Sequence, residues 1–365
     1  MKKYTALLLA LLLTLSLTAC GQTEDTGDTE WEYPAAFAGL ETLVEQAQAE
    51  GSLTAYGSCP AAYLTAACET FETLFNVRVS YQQISDQAVL DKLSKPGRPG
   101  ADVWFGADSG ALEQAASMGG LTAYVPTAAA GLSDSDFAGA DGQWYGVAVD
   151  PLELMVNTAS LKAMEIGAPE DWADLTELEY WELVWLPGYD TTEGRLLAQA
   201  AWDAFGDKAE KYLLELDENV AQYTEDGDPA AKYVGTGECV VAVGLLSSGA
   251  AQRLENSYDD IRLVTPRSGT PYVLNGSAIL RGTAHSAAAQ LWMEFVLSPT
   301  CQALAAMNGW YVWPTVENVS LPEDLAQLNV DLDGLTCRLP MGEDAEALDS
   351  LIDAVQTVLN PPAES

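Results

Sequence analysis

Hydroxyl and carboxyl side chains recur in this chain at one kind of place, just after a short apolar run and just before a helical pattern. Gly57-Ser58 follows "SLTAY", Asp108-Ser109 follows "DVWFGA", Asp190-Thr191-Thr192 follows "VWLPGY", and Ser247-Ser248-Gly249 follows "CVVAVGLL". Groups of this type at a helix start have two uses. They cap backbone N–H groups that lack a partner in the first turn, or they share those N–H groups with a polar ligand. Similar junctions from distant parts of one chain point to the second use beside the first. The candidate ligand-binding residues are Tyr56, Ser58, Asp108, Ser109, Asp150, Thr191, Thr192, Gly194, Tyr223 and Ser247. Asp108 and Asp150 read equally as ligand acceptors or as a helix cap and a turn residue before Pro151. Tyr56 and Tyr223 belong to a set of aromatics near the proposed edges, any one of which is more often core than ligand platform.

Other chemistries find less support. The chain has 54 acidic residues, and glycosidases need two carboxyls flanking one bond, so Asp108 and Asp150 are nominal partners for a surface glycoside hydrolase. No GxSxG elbow, HExxH or catalytic Cys–His set accompanies them. The single histidine, His285, sits in "RGTAHSAAAQ" and reads as a surface or capping residue. Cys59, Cys68, Cys239, Cys301 and Cys337 show no CxxC spacing and read as mostly structural. No metal site, cofactor or GxxxxGK[ST] phosphate loop is expected.

The termini and the composition set the location. Lys2 and Lys3 precede the apolar run Ala6 to Leu17 and the sequence "LTAC" ending at Cys20, the pattern of a secretory signal and too short to span a bilayer. "GQTEDTGDTEWEYP" is acidic and free of aliphatic residues, as a flexible leash would be. The formal charge of −38 repels nucleic acid and anionic lipid, so neither is expected as a partner.

The elements that must position the polar corners follow from periodicity. Strands are expected at Ser52–Tyr56, Val77–Tyr81, Asp102–Phe105, Leu183–Leu186, Asn219–Tyr223 and Cys239–Val243, each followed by a helical pattern. Alternation of this kind gives parallel α/β sheets, which bind ligands at the carboxyl ends of their strands. Extended runs at Trp144–Asn157 and Tyr272–Leu280 separate two βα series, so two lobes with two crossings are expected. The boundaries are a signal segment at 1–19, a leash at 20–35, a first lobe from 36–148 and 275–365, and a second lobe at 149–274.

At this point the chain resembles a known family. "EGSLTAYGS", "GADVWFGADSGALEQAASMGGLTAYVP", "DGQWYGVAVDPLELMVNTASL", "VAQYTEDGDPAAKYVGTGECVVAVGLL" and "NGWYVWPT" fall in the order seen in bacterial extracellular solute-binding proteins. The likeness is to their ferric-iron, phosphonate and sugar-phosphate branch, which serves ABC importers. It implies a periplasmic-binding-protein type 2 fold, no enzymatic activity, hinge closure on a small polar solute, and delivery to a permease with a separate ATPase. "LTAC" resembles a lipobox, which implies a lipid anchor on Cys20 at the outer face of the cell membrane; a monomer is expected. Ferric-binding members carry two tyrosines at positions matching Gly249 and Ala250, so the resemblance speaks against iron held in the usual way. Thr191 and Thr192 match a hydroxyl pair of the family, but Glu193 stands where a small residue is expected. It competes with an anionic ligand for the helix N-terminus unless Arg195 swings in to offset it. A phosphonate or sugar phosphate is weakened, and an amine-bearing or neutral solute gains. A hydrolase and a sensor subunit are the alternatives.

Overall fold

A computed structural model describes residues 33–360, apart from 226, 329 and 331. The signal segment, Cys20 and all but the end of the leash lie outside the described residues. The strands are β1 (Ser52–Gly57), β2 (Arg78–Gln83), β3 (Val103–Asp108), β4 (Leu121–Thr122), β5 (Trp144–Asn157), β6 (Val184–Pro187), β7 (Val220–Thr224), β8 (Val241–Leu245), β9 (Ile261–Val264) and β10 (Tyr272–Leu280). Their order is β2-β1-β3-β10-β5-β8-β6-β7, with β4 beside β10 and β9 beside β5.

β2, β1 and β3 run parallel, as do β7, β6 and β8, whereas β5 and β10 run antiparallel to their neighbours. Each lobe is thus a parallel βα series closed by crossing strands that must come and go. All fourteen residues of β5 are buried. Its first part pairs with β10 up to Tyr272 opposite Pro151, and its second part pairs with β8 from Leu152 opposite Leu245. Pro151 has no N–H to give a ladder, and it falls where the strand passes from one sheet to the other.

The lobe 1 core gathers Leu53, Phe71, Phe105, Trp292 and Phe295, and the lobe 2 core gathers Leu154, Trp172, Leu186, Leu197 and Val241. Leu64, Ala67, Cys68, Phe71 and Phe75 make the buried face of the helix Ala61–Phe75, which ends on Asn76 in the left-handed region. Ser298 accepts from Cys301 N–H, with Pro299 opening the next helix, as the sequence predicts. One boundary needs correction. The last helix, Glu343–Leu359, buries Leu348, Leu351, Ile352 and Val355 in the lobe 2 core, not in lobe 1. The five cysteines among the described residues are free thiols, and burial pushes the Cys59 thiol up to about 12.

His285 is more than a surface residue. Its Nδ1 lies 2.8 Å from Asp102 Oδ2 and its Nε2 lies 3.2 Å from Ser52 Oγ, at the amino end of β1. Asp102 is fully buried and also accepts from Thr54 N–H, Arg98, Thr283 and Ala284 N–H. Burial alone would raise its pKa, but the bonds from His285, Thr283 and Thr54 N–H prevail and hold the carboxyl below its ordinary value. A depressed folded pKa stabilises fully above the unfolded value of about 3.9 and loses that contribution as pH falls through the folded one. Asp102→Asn is therefore expected to lower the unfolding free energy by about 1–3 kcal/mol at pH 7. In urea titrations it should also flatten the pH dependence of stability below about pH 4.

Candidate functional site

The polar corners are built by strand ends. On lobe 1, Ser58 N–H donates to Phe105 O (2.9 Å), and Ser58 Oγ donates to Ile84 O (3.1 Å) and accepts from Trp104 Nε1 (2.9 Å). Asp108 caps the helix Ser109–Ser117 by accepting from Gly110 N–H at 2.8 Å. Its own N–H donates to Asp86 Oδ2 at 3.1 Å. Ser58, Asp86 and Asp108 therefore share one corner. Burial pushes the Asp86 carboxyl up, the Asp108 N–H pulls it down, and the nearby Asp108 charge adds to the rise. Asp108 is raised too, by burial first, against the N–H groups of Gly110 and Ala111 and the Arg338 charge. Asp86 escaped the sequence reading, although "ISDQAV" is one more strand-end corner, with Ser85 capping the helix Asp86–Leu93.

Tyr56 is not in this corner. It is buried in lobe 1, and its hydroxyl donates to Pro99 O at 3.0 Å. Ser109, the first residue of its helix, is buried.

The crossing strand carries the next pair. Asp150, buried on β5 opposite Val273, accepts from Ser247 N–H at 2.9 Å and from Ser247 Oγ at 2.5 Å. The two residues engage each other: the crossing strand supplies the carboxylate that caps the helix Leu246–Glu255, whose own N-cap, Leu245, has no polar side chain. The comparison of Gly249 and Ala250 with a tyrosine pair also changes. A Cβ on Gly249 would lie 2.5 Å from Leu263 Cδ2, and Ala250 packs with Ala306 and Leu325. Both face apolar packing, while half-buried Ser247 and Ser248 occupy the helix start.

On lobe 2, Thr191 is consumed by folding: its Oγ1 accepts from Gly194 N–H (3.0 Å) and donates to Gly188 O (2.7 Å). Thr192 opens the helix Thr192–Phe205 and is exposed. A Cβ on Gly194 would lie 2.0 Å from Gly188 O, so glycine lets the first turn rest on the preceding loop. Arg195 does not swing in beside Glu193, because it pairs with Asp349 of the last helix at 2.6 Å. Tyr223 donates to Asp217 at 2.7 Å, and its ring lies beside Tyr189, so the phenol is held within lobe 2.

A groove of about 810 Å³ lies between the lobes, lined by Ser109 and Glu113 from one and Gln199 and Trp202 from the other, with Arg338 and Met341; of the candidate ligand residues it holds only Ser109. Two α/β lobes, two crossing strands and polar corners at the carboxyl strand ends define a periplasmic-binding-protein type 2 fold.

The chain belongs to the family described as bacterial extracellular solute-binding protein, whose profile matches residues 99–333. This is a family of solute-binding, non-enzymatic proteins. A Haemophilus influenzae protein described as uncharacterized is 28% identical over 270 residues, covering 72% of this chain and 78% of that one. The periplasmic binding protein AfuA of Actinobacillus pleuropneumoniae, solved with exogenous fructose-6-phosphate bound, is 26% identical with a TM-score of 0.64, covering 86% of this chain and 100% of that one. The ferric binding protein of Campylobacter jejuni shares the fold at 18% identity and a TM-score of 0.66, covering 84% of this chain and 99% of that one.

Two substitutions separate the corner residues by their bonding. Ser247→Ala, which removes the hydroxyl from the Asp150 pair, is expected to lower the unfolding free energy by about 1–2 kcal/mol. Thr192→Ser, at an exposed position, should stay within about 0.5 kcal/mol. Equal effects in urea titrations would contradict the assignment.

Proposed function

We propose that this protein is the solute-capturing subunit of an ABC importer, taking a small polar solute between its lobes by hinge closure and passing it to a permease served by a separate ATPase. The signal segment and "LTAC" support lipid attachment at Cys20, with residues 20–35 as a leash to the outer face of the cell membrane. The observation that carries the reading is the placement of hydroxyl and carboxyl corners at the carboxyl strand ends of both lobes, with Asp150 on the crossing strand between them. A ligand touching both lobes favours the closed arrangement by the difference in its affinity for the two states.

The chemistry of the corners supports a two-ended solute. Asp86 and Asp108 suit a hydroxyl or amine group, which can donate to them. The start of the helix Thr192–Phe205 offers the exposed Thr192 hydroxyl and the positive end of the helix, favourable to an oxygen-rich or anionic end. A sugar phosphate supplies both ends, and likeness to the fructose-6-phosphate-bound AfuA lends it weight. An amine supplies only the first end, and Glu193 in the first turn favours it over a phosphonate.

A thermal-shift screen of sugar phosphates, phosphonates, amines, thiamine-like cations and Fe³⁺ tests the reading, since a bound solute raises stability by mass action. For any solute found, Thr192→Val is expected to weaken binding by about 1–3 kcal/mol in calorimetry while the melting temperature of the free protein holds. Unchanged affinity with lowered stability would return Thr192 to a purely structural role. Turnover of a glycoside panel would revive the hydrolase.

A further inference from the structure

Four of the chain's 16 basic residues gather at one place, the amino end of the lobe 1 sheet. Residues 94–100 connect the helix Asp86–Leu93 to β3, and Lys92, Lys95 and Arg98 lie on or beside that loop. Arg281, just after β10, donates through Nη2 to Leu93 O and to Lys95 O, the latter at 2.7 Å. Arg98 packs against Gly282, where an added Cβ would lie 3.2 Å from its Cγ, and its Nη2 donates to Asp102 Oδ1 at 2.8 Å. Lys92 Nζ stands 5.4 Å from the ring centre of Tyr56, whose hydroxyl donates to Pro99 O. Lys95 and Arg98 are exposed, and Lys92 and Arg281 are half-buried. Asp102 is buried beneath Arg98 and offsets one charge, and Asp91, on the same helix as Lys92, accepts from Gln87 at 2.9 Å. The loop thus presents a cationic face on a chain of formal charge −38.

We propose that this face seats the acidic leash, residues 21–32, folded back on its own domain. The leash carries Glu24, Asp25, Asp28, Glu30 and Glu32 and no Lys or Arg. It joins the described residues at Tyr33, which packs against the lobe 1 core. The helix Glu41–Glu50 then lies along the helix Ser286–Val296 in the opposite direction. Ala36 to Leu40 share a pocket with Glu294 and Leu297 at one end, and Glu50 accepts from Ala287 N–H and Ala288 N–H at the other. The leash therefore enters about one helix length, roughly 16 Å, from His285 and the neighbouring loop 94–100. Twelve residues extend to about 40 Å, so the acidic run reaches the face. Single surface ion pairs are weak, but a tethered partner acts at an effective concentration in the millimolar range, which favours it over anions that must come from solution. Screening over about 8–10 Å leaves the distant carboxylates of the domain little influence there. Seated in this way, the leash is shortened and lobe 1 is held close to the chain's N-terminus. The proposal rests on the charge of residues 21–32 and not on the receptor reading.

The test uses the chain from residue 20 onward with Cys20→Ser, so that no lipid is attached, and carbodiimide, which joins a carboxylate to an amine in contact with it. Peptide mapping is expected to find residues 24–32 linked within one chain to Lys92 or Lys95, and not to the lobe 2 lysines Lys162, Lys208, Lys211 and Lys232. The links should fall several-fold at about 0.5 M salt, where screening shortens to a few Å. Arg98→Gln should lower their yield about threefold or more at low salt. Because Arg98 also holds Asp102, the triple variant Glu24→Gln, Asp25→Asn, Asp28→Asn tests the other partner outside the folded domain, and the links from Glu30 and Glu32 should weaken by a similar factor. Links spread evenly over all the lysines, links indifferent to salt, or links only between separate chains would overturn the proposal. So would absence of the Lys92 and Lys95 links in a chain that sediments with vesicles of phosphatidylglycerol and phosphatidylcholine but not of phosphatidylcholine alone, which would assign the face to anionic lipid.

Discussion

One continuous strand holds the molecule together as two bodies. β5 runs from Trp144 to Asn157 without an exposed residue and contributes its first part to one sheet and its second to the other. Burying that length of chain makes an unpartnered polar group on it costly. Asn157 accepts from Ser160 N–H and donates to Val234 O, Glu153 accepts from Thr265, and Asp150 takes both donors of Ser247. The last of these joins the middle of the crossing strand to the helix that opens the Ser247 corner. The carboxylate thus ties the Ser247 corner to the strand shared by both lobes.

Acidity shapes the interior as well as the surface. With 16 basic residues against 54 acidic ones, buried carboxylates meet backbone donors more often than cations. Glu294 accepts from Tyr124, Thr127 N–H and Ala128 N–H, and Glu50 accepts from Ala287 N–H and Ala288 N–H at the start of the helix Ser286–Val296. Asp102 gathers five donors, His285 among them. Ser52, His285 and Asp102 thus line up like a hydrolase triad, yet the helix N-terminus that could stabilise an oxyanion is already occupied by Glu50. The arrangement fastens the amino ends of the lobe 1 strands, consistent with membership of a non-enzymatic family.

Much of the fold was legible because its signals are local. The helix Asp86–Leu93 and the extended runs 144–157, 261–264 and 272–280 lie where periodicity puts them, and Ser298-Pro299 caps as its residue types demand. What the sequence could not tell was which surface a buried face meets. The last helix shows a clear apolar stripe, but the stripe is silent about lobe 1 or lobe 2. Tyr56 and Tyr223 are aromatic residues next to strand ends, and only the contacts reveal that each phenol turns to a partner within its own lobe. Asp150 and Ser247 each looked like a ligand group because the partner is 97 residues away. Gly249 and Ala250 were aligned by order along the chain, whereas a helix start exposes positions by turn, which favours Ser247 and Ser248.

Capping and ligand binding are usually posed as rival uses for a polar residue at a helix start, but in the proposed receptor they divide among neighbours. Thr191 spends its hydroxyl twice, as acceptor and donor, so the helix forms without help from a solute. That frees the next residue: Thr192 stands exposed on the turn that Thr191 has fixed. The lobe 1 corner follows the same logic. Asp108 is committed to its helix through Gly110 N–H, while its own N–H orients Asp86, whose carboxyl is pushed up by burial and by a second carboxylate beside it. A group left in that condition gains most from a donor that arrives with a solute. On the proposed receptor reading, the rigid member of each pair is the cap, and recognition falls to its neighbour.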